Sequence, residues 1–349
     1  MYYLLILLFL FFYFRLSKQP IALRAKKEST YVFIICVVLV LMAAFRSDLV
    51  GADTAGYRYD YESLKQYSSF PQLVERYTLY YMGYFATSKL FHMAGLPVQV
   101  WFGFVEAFYL FALMKFVNKF SKDKIFSLLV FATIGLFSFS LAGLKQTFAM
   151  SLMMLSFVAL LEKKYLYSVL LVILTYYTHQ AALVFLGVFL IYYLNNRKWL
   201  IYAAILISIT IYFYGYYYME QMVNVLENEK WEDYLVIESD YTYVTFIFLS
   251  VITIFSGINM RNYSVADKFN SRFFLACSIM TCGLQLMAGI SPSLFRLAIV
   301  YMPFMMILLP NATFYSKNKN VVGPVLMAWI IFYFLYTTRT QPYSFISLF

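Results

Sequence analysis

Four cations, Arg46, Lys145, Arg296 and Arg339, each stand at the border of a long apolar run. A guanidinium offers parallel N–H groups in a planar fork, the geometry that a phosphate or pyrophosphate accepts. Singly, an Arg at the end of an apolar helix also snorkels to water and does nothing more. Four such charges converging on one cavity would instead suit an anionic headgroup such as a pyrophosphate.

Acids and a histidine lie beside these cations. The stretch Phe45–Tyr57 reads FRSDLVGADTAGY, with small residues that let the chain turn tightly. Asp48 and Asp53 within it can pair with an Arg, cap a helix, or act as acid or base. For Asp53-Thr54 capping is the plainer reading, because both residue types are common helix starters. His179, one of two histidines, falls between two apolar stretches, where an imidazole is costly unless something uses it. It can take a proton from a sugar hydroxyl or donate to a phosphate. His92, the other, reads as structural.

The elements that position these residues are membrane helices. Of 349 residues, 63% are hydrophobic and 13% charged, with a mean hydropathy of +0.71, too little polar surface to cover a water-soluble globule. Apolar runs each near the length a helix needs to cross about 30 Å of hydrocarbon recur from end to end. The fold expected is an all-α polytopic transmembrane bundle of about twelve spans, one membrane-embedded domain over 1–349 with outer loops 46–96 and 220–240. Residues 1–14 lack a basic flank ahead of them and a small-x-small cleavage site, so they read as an uncleaved first span.

Basic residues set the orientation. Clusters such as Arg15 to Lys27, Lys115 to Lys124, Lys163-Lys164 and Arg197-Lys198 separate the apolar runs and belong inside. The net charge of +10 therefore reflects the positive-inside rule rather than a nucleic-acid surface. Keeping these clusters on one side requires the Tyr-rich segment Tyr77–Met93, with Lys89 and His92, to lie at the outer interface rather than cross. Tyr165–Leu194 is long enough for a single tilted span, but the basic residues flanking both its ends favour two short legs meeting at His179 near the outer side. Both chain termini then lie outside. The cations left outside or at outer span ends include Arg58, Lys65, Arg76, Lys89 and Lys230 beside the four named first.

The second outer loop is acidic, with Glu220, Glu227, Glu229, Glu232, Asp233, Glu238 and Asp240 against Lys230, and reads as a solvated face, with carbohydrate contact through these carboxylates and the adjoining Tyr216 to Tyr218 as the alternative. Glu106, inside a span, is either a polar packing contact or part of a cavity wall. Cys36, Cys277 and Cys282 fall inside apolar runs and suggest neither disulfide nor metal site. No Walker loop, dinucleotide fingerprint, zinc spacing or Gly-x-Ser-x-Gly elbow is present, so ATP-driven transport and the common soluble hydrolase chemistries lack support. No cofactor or metal is expected.

FRSDLVGADTAGY at 45–57, GLKQTFAMSL at 143–152, YYTHQAALVF at 176–185, FRLAIVYMP at 295–303 and QPYSF at 341–345, in this order, resemble the EpsG family of Wzy-type polysaccharide polymerases. The resemblance implies a C-type glycosyltransferase-like bundle in a bacterial inner or cytoplasmic membrane. It implies an enzyme joining oligosaccharide repeats carried on undecaprenyl pyrophosphate into O-antigen, capsule or exopolysaccharide, with a chain-length regulator and a flippase as partners. Family members often carry Arg-Gln where this chain has Lys145-Gln146, and Lys keeps the charge but loses the bidentate fork. On this reading Arg46, Lys145, Gln146, Arg296 and Arg339 hold the pyrophosphate. His179, Asp48 or Asp53 accepts the hydroxyl proton, and Tyr57 and Tyr343 contact sugar.

Two other classes fit parts of the pattern. A flippase or exporter of lipid-linked oligosaccharide would also have about twelve spans, but is expected to show repeat-related halves and midplane charges, and no internal repeat is visible. An outer-face sugar-modifying transferase would share the cationic face.

Overall fold

The computed structural model describes residues 2–77, 79–226, 243–289, 294–339 and 343–345. Of the described residues 84% are helical, and none forms a strand. Most of the acidic outer loop, together with Gln341 and Pro342, lies outside the described residues. The chain divides into two compact units, Met1–Leu183 with Met327–Phe349, and Val184–Leu326.

The first unit begins with α1 (Tyr2–Ser17) and α2 (Ile21–Ala44), joined by a tight turn at Pro20. The 45–57 motif leads into α3 (Thr54–Ser63), followed by α4 (Phe70–Tyr77) and α5 (Met82–Met93). The long α6 (Val98–Phe120) starts after Pro97, where the fixed φ of proline suits a helix entry. Next come α7 (Lys124–Thr133) and α8 (Leu136–Ala142), bent by 54° at Gly135, whose φ of +102° is open to glycine and costly for other residues. Then α9 (Leu144–Leu161) and α10 (Tyr165–Tyr176) follow, and a turn at 177–179 ends the leg that carries His179. α6 packs on both α2 and α9, and Gly103 lets it sit close against α2, since a Cβ there would lie 3.1 Å from the Ala44 methyl.

The second unit holds α11 (Leu186–Tyr193), α12 (Leu200–Leu226), α13 (Val244–Asn259), α14 (Val265–Gln285), α15 (Phe295–Tyr301) and α16 (Met305–Phe314). The 295–314 run is its centre, 89% buried, whereas the apolar window of α12 is only 17% buried and presents its side chains outward, as a lipid-facing helix does. α17 (Lys319–Thr338) begins in the second unit and ends in the first.

Among the described residues, eight helices are long and apolar enough to cross a membrane, and the bent α7–α8 pair would make nine. Three shorter apolar helices, Tyr2–Ser17, Tyr165–Tyr176 and Gln180–Tyr193, occupy the places of the other three expected spans. The expected count of about twelve thus exceeds the helices that meet the length criterion. The shortfall arises where the chain turns after few residues, because 12 residues of helix rise only about 18 Å. The same arithmetic applies to α5, also 12 residues long and not among the candidate spans. The protein is a multi-pass helical membrane protein.

Candidate functional site

In the first unit, the end of α2, the starts of α6 and α9 and the end of α10 meet at one level. The basic loops of this unit occupy the other. There, Asp123 caps α7 by accepting the Phe126 N–H at 2.9 Å, and the Lys124 N–H reaches Glu28 at 3.3 Å. The residues singled out for chemistry in this unit lie at the first level.

α3 organises it. Thr54, Tyr57 and Tyr61, with Leu64 just beyond the helix, recur at helical spacing and form a buried stripe. Arg58 flanks the stripe on the side of Thr54, and Asp60 flanks it beside Tyr57. The helix starts at the expected place, with Asp53 at its cap position, but the Asp53 side chain makes no capping bond to the backbone. Gly51 has φ +86°, and a Cβ there would lie 2.7 Å from the Leu141 carbonyl oxygen. Only glycine lets the loop come this close to the end of α8. Thr54 then donates to the Val50 carbonyl at 2.6 Å.

Arg46 is fully buried. Its Nε donates to Thr54 Oγ1 at 3.2 Å, its Nη1 to the Ala43 carbonyl at 2.5 Å, and its guanidinium carbon lies 4.2 Å from the centre of the Phe102 ring. Burial, opposed by the attraction of Glu106, pulls this guanidinium down to about 10, so it is still a cation at neutral pH. Arg46 is therefore walled in just beyond α2 rather than snorkelling. Residues 343–345 cover its backbone: Arg46 bridges Phe345, and the Ser47 N–H donates to the Ser344 carbonyl at 2.9 Å. The Tyr343 hydroxyl donates to the Met42 carbonyl, and its ring stands edge-on to Tyr2.

Arg58 lies over the same ring, 5.7 Å from its centre, and its Nε meets Asp48 Oδ1 at 2.5 Å. Asp48, proposed from sequence as an acid or base, is thus the ion-pair partner of Arg58.

Lys145 opens α9 and lies among four aromatic rings, at 4.6 Å from Phe85, 5.3 Å from Tyr81, 5.5 Å from Tyr57 and 5.9 Å from Tyr84. Each distance is within cation–π range. Its ammonium also meets Asp60 at 3.5 Å, and both side chains keep about a fifth to a quarter of their surface open, 21% and 25%. Gln146 beside it is buried. Tyr84 accepts the Trp101 indole N–H at 3.1 Å, and burial raises its phenol well above the ordinary value. His179 is half-buried, and its ring is 5.7 Å from that of Tyr81, so Tyr81 stands beside both Lys145 and His179. The Gly83 N–H donates to the Tyr177 carbonyl at 2.7 Å and holds the two segments at this distance.

Arg339 is exposed and stacked on Tyr336 at 4.4 Å. Arg296 is half-buried in the first turn of α15, in the second unit. That unit also contains an apolar cavity of about 630 Å³ with Ser208, Tyr212, Thr253 and Leu275 in its wall. Among the described residues no Lys or Arg lines it.

The structure thus brings together Arg46, Asp48, Asp53, Tyr57, Lys145, Gln146 and His179, and adds Arg58, Asp60, Tyr81, Tyr84, Phe85 and Phe102. Arg58 is an outer cation from sequence, but nothing there pairs it with Phe102. Asp60 carries one signal, its place three residues after Tyr57 on a helix that begins at Thr54.

These elements define a multi-pass membrane protein with a polar, ring-lined site at one end of its first helical unit. The EpsG family model matches residues 29–348, nearly the whole chain. The chain belongs to the EpsG family, whose members are Wzy-type polymerase-like. No curated protein and no solved structure matches it.

Proposed function

We propose that this protein is a glycosyltransferase that polymerises undecaprenyl-pyrophosphate-linked oligosaccharide repeats into surface polysaccharide on the outer face of a bacterial inner or cytoplasmic membrane. The observation that carries the reading is Lys145 among Tyr57, Tyr81, Tyr84 and Phe85, beside Asp60 and near His179. Aromatic faces and a carboxylate are what a sugar binds, and a cation is what a leaving pyrophosphate needs. The basic loops at the other level support reading this end as the outer one under the positive-inside rule. On the same reading the chain crosses twelve times in a C-type glycosyltransferase-like bundle, with both termini outside.

The reaction is an inverting transfer. A hydroxyl of the incoming repeat attacks the anomeric carbon of the growing chain, the bond from that carbon to the pyrophosphate oxygen breaks, and the pyrophosphate departs with the electron pair. Lys145, with Gln146, Arg46 and Arg339, offsets the charge that develops on the leaving group. His179 is the base for the hydroxyl proton, ahead of Asp48 and Asp53, because Asp48 is held by Arg58 and Asp53 stands at a helix start. Tyr57 contributes a sugar contact. A chain-length regulator and a flippase would act with the protein.

The deciding experiment is a gel that resolves single repeats, run on surface polysaccharide from a strain lacking the gene. Single repeats in place of long chains, with length restored by the intact gene, support a polymerase. Lipid-linked repeats held on the cytoplasmic side would replace this reading with a flippase.

A further inference from the structure

Two guanidiniums share one benzene ring. Arg46 lies 4.2 Å and Arg58 5.7 Å from the centre of Phe102, so the two carbons are no farther apart than the sum of those distances. Like charges are not brought together in a low-dielectric setting without compensation. Glu106, buried on α6, supplies it for Arg46, and Asp48 supplies it for Arg58. Even so, Nη2 of Arg46 and Nη2 of Arg58 are both buried without a hydrogen-bond partner. Leaving a charged donor unsatisfied costs more than a neutral one, so two such atoms beside one ring mark a place built for an acceptor.

We propose that Arg46 and Arg58 form a two-guanidinium clamp for a diphosphate headgroup, with Asp48 occupying Arg58 until the anion displaces it. This rests on the reading of the protein as acting on a prenyl diphosphate. The exchange is favourable for two reasons. The Asp48 side chain is 48% exposed, so its ion pair is of the weakly held surface kind. A diphosphate brings more charge and more acceptor oxygens than one carboxylate, enough for both Nη2 groups at once. Arg46, fixed by Thr54 and Ala43, is the stationary jaw; Arg58, with its side chain 18% exposed, is the movable one.

The test is binding of radiolabelled farnesyl diphosphate to the full-length protein in phosphatidylcholine nanodiscs. Arg58→Ala is expected to weaken binding roughly 10- to 100-fold, and Arg58→Lys to fall between. Asp48→Asn is expected to tighten it, because the competitor is gone while the fold keeps an isosteric side chain. If Asp48→Asn and Arg58→Ala weaken binding alike, the pair is a strut and the clamp is wrong; binding unchanged in Arg58→Ala overturns it as well. Phosphatidylglycerol in the disc should leave binding in place, and displacement by it at equal concentration would make this a general lipid-phosphate anchor instead. Absence of binding by the unaltered protein would remove the prenyl diphosphate reading itself, an outcome distinct from failure of Arg58 alone.

Discussion

Gly83 and Thr178 lie in such close apposition that a Cβ on Gly83 would come within 2.3 Å of the Thr178 hydroxyl oxygen. This contact seats the start of α5, with Tyr81, against the turn that carries His179. Gly83→Ala should therefore separate them and lower stability by about 1 to 3 kcal/mol, the usual cost of overpacking. A thermal unfolding midpoint equal to that of the unaltered protein, with polymer length preserved, would refute the close fit.

Lys145 tests charge against shape. Lys145→Gln keeps the stem and removes the cation, and is expected to shorten the polysaccharide ladder, while Lys145→Arg should retain long chains. In a double-mutant cycle with Asp60→Asn, coupling of about 0.5 to 1 kcal/mol is expected, modest because both groups meet water. Long chains from Lys145→Gln would remove Lys145 from the mechanism.

Arg46→Lys keeps a charge but not the fork. The bonds to Thr54 and Ala43 and the stack on Phe102 cannot all be made by an ammonium. A loss of about 2 to 4 kcal/mol is expected by chemical denaturation in detergent. A variant as stable as the parent would mean that the charge alone suffices at this position.

At the other level, burial raises the Asp123 carboxyl from 3.8 to about 6, with Glu28 adding to the rise and Arg24 and the Phe126 N–H opposing it. A carboxyl with a raised folded-state value binds more protons folded than unfolded between those two values. Its contribution to stability is therefore greatest at the acid end and falls as pH rises from about 4 to about 6. Asp123→Asn keeps a capping acceptor for Phe126 and should be more stable than the parent above pH 6, by an amount that shrinks toward pH 4. Parallel melting-temperature profiles for the two proteins would contradict this.

How far the residues announced this site differs from one to the next. The FRSDLVGADTAGY stretch declared a tight, polar outer loop, because Gly51, Asp48 and Arg46 are rare types in so apolar a chain. Lys145 and His179 stood out for the same reason. Periodic hydropathy located the helices but not their reach: in Tyr165–Leu194 the polar Thr178-His179-Gln180 marked the break, whereas nothing marked how short the helix before it is, ending at Tyr176. The rings were hidden for the opposite reason: among 37 Phe and 34 Tyr, nothing distinguishes Phe102, Phe85 or Tyr81 from core or interfacial aromatics. Nor does sequence tell a snorkelling Arg from a walled-in one, because the wall around Arg46 is made by Phe102, Thr54 and residues 343–345, each distant or unremarkable in the chain.

The pairing of Ser47 with Ser344 also has a clock in it. Their hydroxyls lie 2.5 Å apart across 297 positions of chain. At ribosomal rates of about 5 to 20 residues per second, Ser47 waits roughly 15 to 60 s for its partner to be synthesised. Until then the segment that carries Arg46, Asp48 and Arg58 lacks its cover, so a newly inserted chain passes through an interval in which that segment stands open.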